Sequence, residues 1–214
     1  DNKKYGIPIK NIEIRKTLDG REYELIESLH SNQKLLVVSD PFTHKAMGSR
    51  IFKNLKAKIN VDEFIWEQPS SSIEGVQFLR TKLKDYDGMI AVGSGTVSDS
   101  IKYATFLEDK VYSVFATTPM NAYTTGTASI SFDGIKKSLV AHYAQGVFFD
   151  LEVLSNCPKR LTAAAFADVI CRTTAQVDWL MSHKLLNTDY KTTPYELLAL
   201  YEMDMINNAS DIAA

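Results

Sequence analysis

The sequence predicts an α/β fold in which a doubly wound parallel sheet is followed by the start of an all-helical region. Three observations carry this expectation. Over the first two-thirds of the 214 residues, short unbroken apolar runs alternate with segments of helical periodicity. Strands buried on both faces and joined by crossover helices need that alternation. One junction holds Gly93-Ser94-Gly95, a turn tight enough to carry a strand straight into a helix. Past residue 155 the apolar runs give way to Ala- and Leu-rich helical sequence.

Taken in order, Lys34-Leu35-Leu36-Val37-Val38-Ser39 is the first clear buried strand, and Asp40-Pro41 ends it. Residues 43–55 carry Met47, Ile51, Phe52 and Leu55 at helical spacing. A second strand spans residues 61–66 and closes in Pro69-Ser70-Ser71-Ser72. Residues 73–83 form a helix with Val76, Leu79 and Leu83 on one face. A strand at 89–92, a helix over 97–106 and a strand at 112–116 continue the alternation. Asp133-Gly134 predicts a hairpin between residues 129–132 and 137–141, and Gly146-Val147-Phe148-Phe149-Asp150 makes one more strand. Pro158 is placed to open a helix, and helical sequence runs over residues 159–186. Thr192-Thr193-Pro194 breaks it, and a further helix covers 195–206. The boundary falls at about residue 155, between a sheet domain (1–155) and the beginning of a helical one (156–214). About 60 helical residues are thin for an independent core, and the chain reads as cut short.

Composition narrows the function. Apolar content of 45% and charged content of 23% are those of a globular domain. A net charge of −2 gives no electrostatic case for nucleic acid or acidic membranes. No apolar run approaches the roughly 20 residues that span a bilayer, and Asp1-Asn2-Lys3-Lys4-Tyr5 is followed by no signal core. Cys157 and Cys171 are too few for a disulfide framework. The cytoplasm is the expected location, with room for a homo-oligomer.

Four features could carry chemistry. Gly93, Ser94, Gly95, Thr96 and Val97 place free N–H groups at a helix N-terminus, where a phosphate binds. Asp40 follows a buried strand, where a carboxylate either holds ribose hydroxyls or simply forms a turn before Pro41. The hydroxyl-rich run from Ala116-Thr117-Thr118-Pro119 through Asn121 to Thr125 leaves the carboxyl end of a strand, the ligand-binding edge of open α/β sheets. Asp168 lies among Ala, Phe, Val and Ile, so it must be solvated, bound to a cation or paired with Arg172 four residues on.

In order and spacing, the whole chain resembles the front portion of the sn-glycerol-1-phosphate dehydrogenase family, which belongs with glycerol dehydrogenases, iron-type alcohol dehydrogenases and dehydroquinate synthases. Residues 93–102 fit that superfamily's Gly-Gly/Ser-Gly-Ser/Thr-x-x-Asp-x-x-Lys turn throughout. Residues 115–125 lie on the bacterial branch's Pro-Thr-Ala-Pro-Ser-Met-Asp-Gly-Tyr-Thr-Ser loop without a gap, with Met120, Tyr123 and Thr124 identical. Asp168, Arg172 and Asp178-Trp179 keep the spacing of a third family segment. The resemblance implies NAD or NADP as cofactor, with Asp40 on the adenosine ribose and residues 93–97 on the pyrophosphate. It also places Ala116, Thr117, Thr118, Pro119 and Thr125 beside the nicotinamide. Asp168 becomes one of three protein ligands to a catalytic divalent metal, usually zinc. The substrate class implied is a small phosphorylated polyol or ketone, with hydride transfer between nicotinamide and dihydroxyacetone phosphate or glycerol phosphate.

Four positions depart from the pattern. Asn121 stands where the family has its substrate aspartate, and Ala122 where it has glycine. Ala167 replaces the glycine before the metal aspartate, and Arg172 the lysine after it. The family's metal histidines are not visible: His30, His44 and His142 lie in the first part, and His183 is 15 residues past Asp168. On a straight helix that is about 22 Å, too far to share an ion. As it stands, the chain is expected to be inactive alone. A degenerate nucleotide-binding protein and a dehydroquinate-synthase-like lyase stay open beside the dehydrogenase; an acid at Asp40 favours NAD over NADP by repelling a 2′-phosphate.

Overall fold

The computed structural model describes residues 7–213, and its first strand is one that hydropathy did not single out. Strand β1 (Asn11–Arg15) lies at a sheet edge, with Ile12 and Ile14 exposed and charged residues interleaved. Helix α1 (Glu22–His30) follows, also unanticipated. The remaining strands of this sheet are β2 (Leu35–Ser39), β3 (Val61–Ile65), β4 (Gly88–Gly93), β5 (Val111–Ala116) and β8 (Gly146–Asp150). All six pair in parallel in the order β1-β8-β5-β4-β2-β3. This is the parallel sheet that the apolar runs predicted.

Between β2 and β3 the chain forms a short helix α2 (Pro41–Thr43), a π-helical turn (His44–Gly48) and helix α3 (Ser49–Lys56). Helix α4 (Ile73–Leu83) starts at Ser72, whose hydroxyl accepts the Gly75 N–H at 3.2 Å. Helix α5 (Gly95–Leu107) connects β4 to β5. Alternate strand residues face opposite layers, as the pleat requires. Leu36, Val38, Met89 and Ala91 pack with Val76, Leu79, Val97 and Ile101 of α4 and α5. Leu35, Val37, Ile90 and Val92 pack with Leu25, Ile26, Ile51 and Leu55 of α1 and α3. The sheet is therefore wound on both faces.

The antiparallel hairpin β6 (Thr127–Phe132) and β7 (Ile135–Val140) turns at Asp133 and Gly134, with φ of 49° and 79°. Two consecutive left-handed residues make the tight hairpin turn that this pair favours. Ala128 and Ile130 bury against the α4–α5 layer, and Ser131 N–H donates to Ser71 O at 2.7 Å.

The chain divides into two compact units between Cys157 and Pro158, just after the short helix α6 (Leu151–Ser155). The second unit holds α7 (Lys159–Ile170), α8 (Arg172–Leu186), α9 (Thr193–Asn207) and α10 (Ala209–Ala213). Sequence periodicity implied unbroken helix over 159–186, but it breaks at Cys171. There the Cys171 thiol donates to Asp168 O and the Thr174 hydroxyl to Cys171 O at 2.7 Å, beside the backbone bonds Cys171 N–H to Ala167 O at 3.0 Å and Ala175 N–H to Cys171 O at 3.2 Å. Among the described residues of this unit only Glu202 is buried. No helix among the described residues is long and apolar enough to cross a membrane.

Candidate functional site

Registers place the candidate residues together. Ser39 of β2 pairs with Val92 of β4, Val92 with Phe115 of β5, and Gly93 with Ala116. Asp40, the 93–97 turn and the 116–119 segment thus leave three adjacent strands at one height. The winding also reverses here, since α3 follows β2 on one face and α5 follows β4 on the other. Such a reversal opens a crevice outside the carboxyl ends of the strands.

At the centre stands the N-terminus of the 13-residue α5. Its first intrahelical bond is Ser98 N–H to Ser94 O at 3.0 Å, so the N–H groups of Gly95, Thr96 and Val97 have no partner within the helix. Ser94, the N-cap residue, makes no side-chain capping bond. A Cβ on Gly93 would come within 2.7 Å of the Val97 Cβ, so this position requires glycine. A Cβ on Gly95 would meet only the Met120 thioether end, at 3.0 Å.

Three buried hydroxyls have no hydrogen-bond partner: Ser39 Oγ and Thr117 Oγ1 at the strand ends and Ser98 Oγ in the first turn of α5. Buried polar groups are almost always bonded, so these orphans fit a polar ligand. Asp40 forms the turn that was one of its two anticipated roles. Its Oδ1 accepts the N–H groups of Phe42 and Thr43 at 2.8 and 3.0 Å, a capping box completed by Thr43 Oγ1. No hydrogen bond of the described residues involves its Oδ2, which stays available to a ribose hydroxyl.

The loop after β5 is bolted to the turn. Tyr123, buried, donates its hydroxyl to Gly93 O at 2.9 Å and shares a 2.9 Å bond with Thr118 Oγ1. Burial pushes the Tyr123 phenol up to about 12. Asn121 is exposed, and its carbonyl accepts the Thr124 hydroxyl at 3.1 Å. The Thr125 hydroxyl points inward, donating to Ala122 O at 2.9 Å and accepting from Lys102 Nζ at 3.3 Å. Sequence reasoning placed Ser98 and Lys102 only within the 93–102 phosphate turn; both sit on α5, where a helix pattern shows which face is buried but not which partners each group finds.

Asp168 lies exposed on α7, three residues before the break, with Arg172 opening the next helix. The four histidines are engaged elsewhere. His30 bonds Gln33 and Ser113, His44 bonds Glu63, and His142 bonds Thr105. His183 bonds Thr188 O at 2.6 Å and stacks on Tyr190. Among the described residues no group of three or more His, Cys, Asp or Glu is placed to hold a metal ion. These residues do not by themselves fit a catalytic metal.

Fold and strand-end geometry define an α/β protein with a doubly wound parallel sheet and a crevice at its strand ends. Residues 13–158 match the family pattern of iron-containing alcohol dehydrogenases, and the chain belongs to that family. A glycerol-1-phosphate dehydrogenase (NAD(P)+) of Geobacillus thermodenitrificans is 28% identical over 190 residues, covering 85% of this chain and 47% of the relative. One of the same name from Pyrococcus horikoshii is 31% identical over 164 residues, covering 75% and 47%. Among solved structures, a probable glycerol dehydrogenase from Sinorhizobium meliloti superposes with a TM-score of 0.77 at 14% identity, covering 96% of this chain and 58% of that one. The chain spans about half the length of the curated relatives it matches.

Proposed function

We propose that this chain is the nucleotide-binding part of an NAD(P)-dependent dehydrogenase acting on a small phosphorylated ketone or polyol, of the glycerol-1-phosphate type. The observation that carries the reading is the convergence of Asp40, the α5 N-terminus and the unpartnered Thr117 hydroxyl on three adjacent strand ends. A dinucleotide needs that sequence of groups: a carboxylate for ribose, N–H donors for pyrophosphate, and a walled apolar face for the nicotinamide ring.

In this reading Asp40 Oδ2 accepts from the adenosine ribose, which favours NAD over NADP. The N–H groups of Gly95, Thr96 and Val97 hold the pyrophosphate, and Ser94 and Ser98 lie beside it. Ala116, Thr117, Thr118 and Pro119 line the nicotinamide side, and Thr125 braces that wall from behind. The bound cofactor supplies or accepts the hydride; the protein fixes its face and distance. Asn121, exposed at the loop tip, offers an amide to a substrate hydroxyl without adding charge. Asp168 enters only as a single carboxylate donor toward a divalent metal, and no step is routed through that ion. A cytoplasmic location and a homo-oligomeric state accompany the reading.

Amide chemical shifts test the placement. On adding NAD, the amides of Gly95, Thr96, Val97 and Thr117 should shift most. Shifts confined to residues remote from the three strand ends would overturn the reading.

A further inference from the structure

Lys102 is the most completely buried cation of the chain's described residues, with no exposed surface, about two turns from the start of α5. A buried ammonium is tolerable only where its N–H groups are all bonded. Its Nζ donates to Ala122 O at 2.8 Å, to Thr127 O at 2.9 Å and to Thr125 Oγ1 at 3.3 Å, and pairs with Asp99 Oδ1 at 3.4 Å. All three loop acceptors belong to one segment, the stretch that runs from Asn121 into β6. The second oxygen of Asp99 accepts the Ser129 N–H at 3.1 Å, so the pair grips the segment at both ends. With Tyr123 tied to Gly93 at the end of β4, the strand-end turn and α5 together hold the loop along its length, while α5 offers its N-terminus at the strand ends.

A lysine nine residues beyond Gly93 invites assignment as a phosphate ligand. The geometry rules that out, because the amine has no exposed surface and its protons are committed to the 122–127 segment and Asp99. We propose instead that Lys102 is a positioning residue for the nicotinamide end of the site. Through Asp99 and Lys102, the helix that receives the pyrophosphate also sets the position of the loop carrying Thr117, Thr118 and Asn121. The two halves of a dinucleotide are then held by one rigid unit rather than by two independent segments. This inference rests on the dinucleotide reading for its ligand, but the bracket itself is a property of the fold.

The consequence is an uneven loss of affinity. Removing the amine should free the loop, weakening contacts to the nicotinamide half and leaving the adenosine half on Asp40 and α5. The experiment titrates NADH and ADP-ribose, which lacks the nicotinamide, into the full chain and into Lys102→Met. Hydrogen exchange is followed on the same samples. NADH affinity should fall about tenfold or more, as expected for loss of fixed orientation, while ADP-ribose changes less than about threefold. Amides of residues 120–129 should exchange faster, and those of β2 and β4 should not. Lys102→Met leaves Asp99 uncompensated, so Asp99→Asn with Lys102→Met provides a variant without the stranded charge. An unchanged ratio of NADH to ADP-ribose affinity in either folded variant would overturn the proposal, as would equal acceleration of exchange across the sheet. If the unaltered chain binds neither ligand, the nucleotide reading fails, and the exchange pattern alone decides whether Lys102 fixes the loop.

Discussion

Replacing Gly95 with Asp separates fold from function by the sign of its two effects. Gly95 is the first residue of α5, and a Cβ there meets only the flexible end of Met120. A carboxylate beside unpaired N–H groups at a helix N-terminus adds about 0.3–1 kcal/mol of stability. Losing a helical glycine adds a few tenths more. The same carboxylate would occupy the region assigned to the pyrophosphate. Two unit charges 4 Å apart repel by about 4 kcal/mol at an effective dielectric constant near 20. That is roughly a thousandfold in Kd. Calorimetric titration with NAD reads the affinity, and thermal melts of the same samples read the stability. The expected outcome is affinity lowered about a thousandfold, with Tm equal or slightly higher. Gly95→Asn, similar in size but neutral, should recover most of the binding. Full NAD affinity in Gly95→Asp would refute the placement of the pyrophosphate; a loss accompanied by partial unfolding would refute the reasoning about α5.

Two further outcomes follow from side chains outside the turn. Arg50 binds Glu22 Oε1 at 2.9 Å and Asp150 Oδ2 at 2.6 Å, and both acids are fully buried. Arg50→Met should cost about 3–5 kcal/mol by stranding two buried carboxylates, lowering Tm by about 6–20 °C. Burial alone would raise the Asp150 carboxyl, but the Leu18 N–H, the Arg50 guanidinium and the Val153 N–H together hold it below its ordinary 3.8. Its contribution is therefore present above 3.8 and lost as pH falls through the lower folded value. In the variant, acid instead relieves the stranded charges, so the stability gap should close on acidification; a gap independent of pH contradicts this. For the metal, elemental analysis of the 214-residue chain should find no stoichiometric zinc, because among the described residues no group of three or more His, Cys, Asp or Glu is placed to hold it. Stoichiometric zinc that survives Asp168→Asn would remove Asp168 from the metal reading.

The sheet was legible in the sequence because parallel strands announce themselves as unbroken apolar runs. Leu35 to Val38 and Met89 to Val92 lie at or near zero exposure. β1 escaped because an edge strand needs no such run, and Asn11-Ile12-Glu13-Ile14-Arg15 keeps its isoleucines half in solvent. The break at Cys171 carries neither proline nor glycine, so neither periodicity nor a breaker residue registers it. Gly93, Gly95 and Asp40 could be singled out locally, since strand ends and helix starts are local features. Their adjacency could not, because it depends on β4 returning to pair with β2. Lys102 was legible as the end of the 93–102 turn, but its partners and the Arg50 cluster lay beyond reach for the same reason: residues 20 to 100 positions away decide their roles.

The central claim is that the ends of β2, β4 and β5 form a dinucleotide site in this chain. Isothermal titration of NAD, and separately of NADP, into the folded 214-residue protein tests it most directly. The account predicts one NAD bound per chain and weaker NADP, because a 2′-phosphate would face the Asp40 carboxylate. Absence of binding heat from both nucleotides, with the protein shown to be folded, would contradict it.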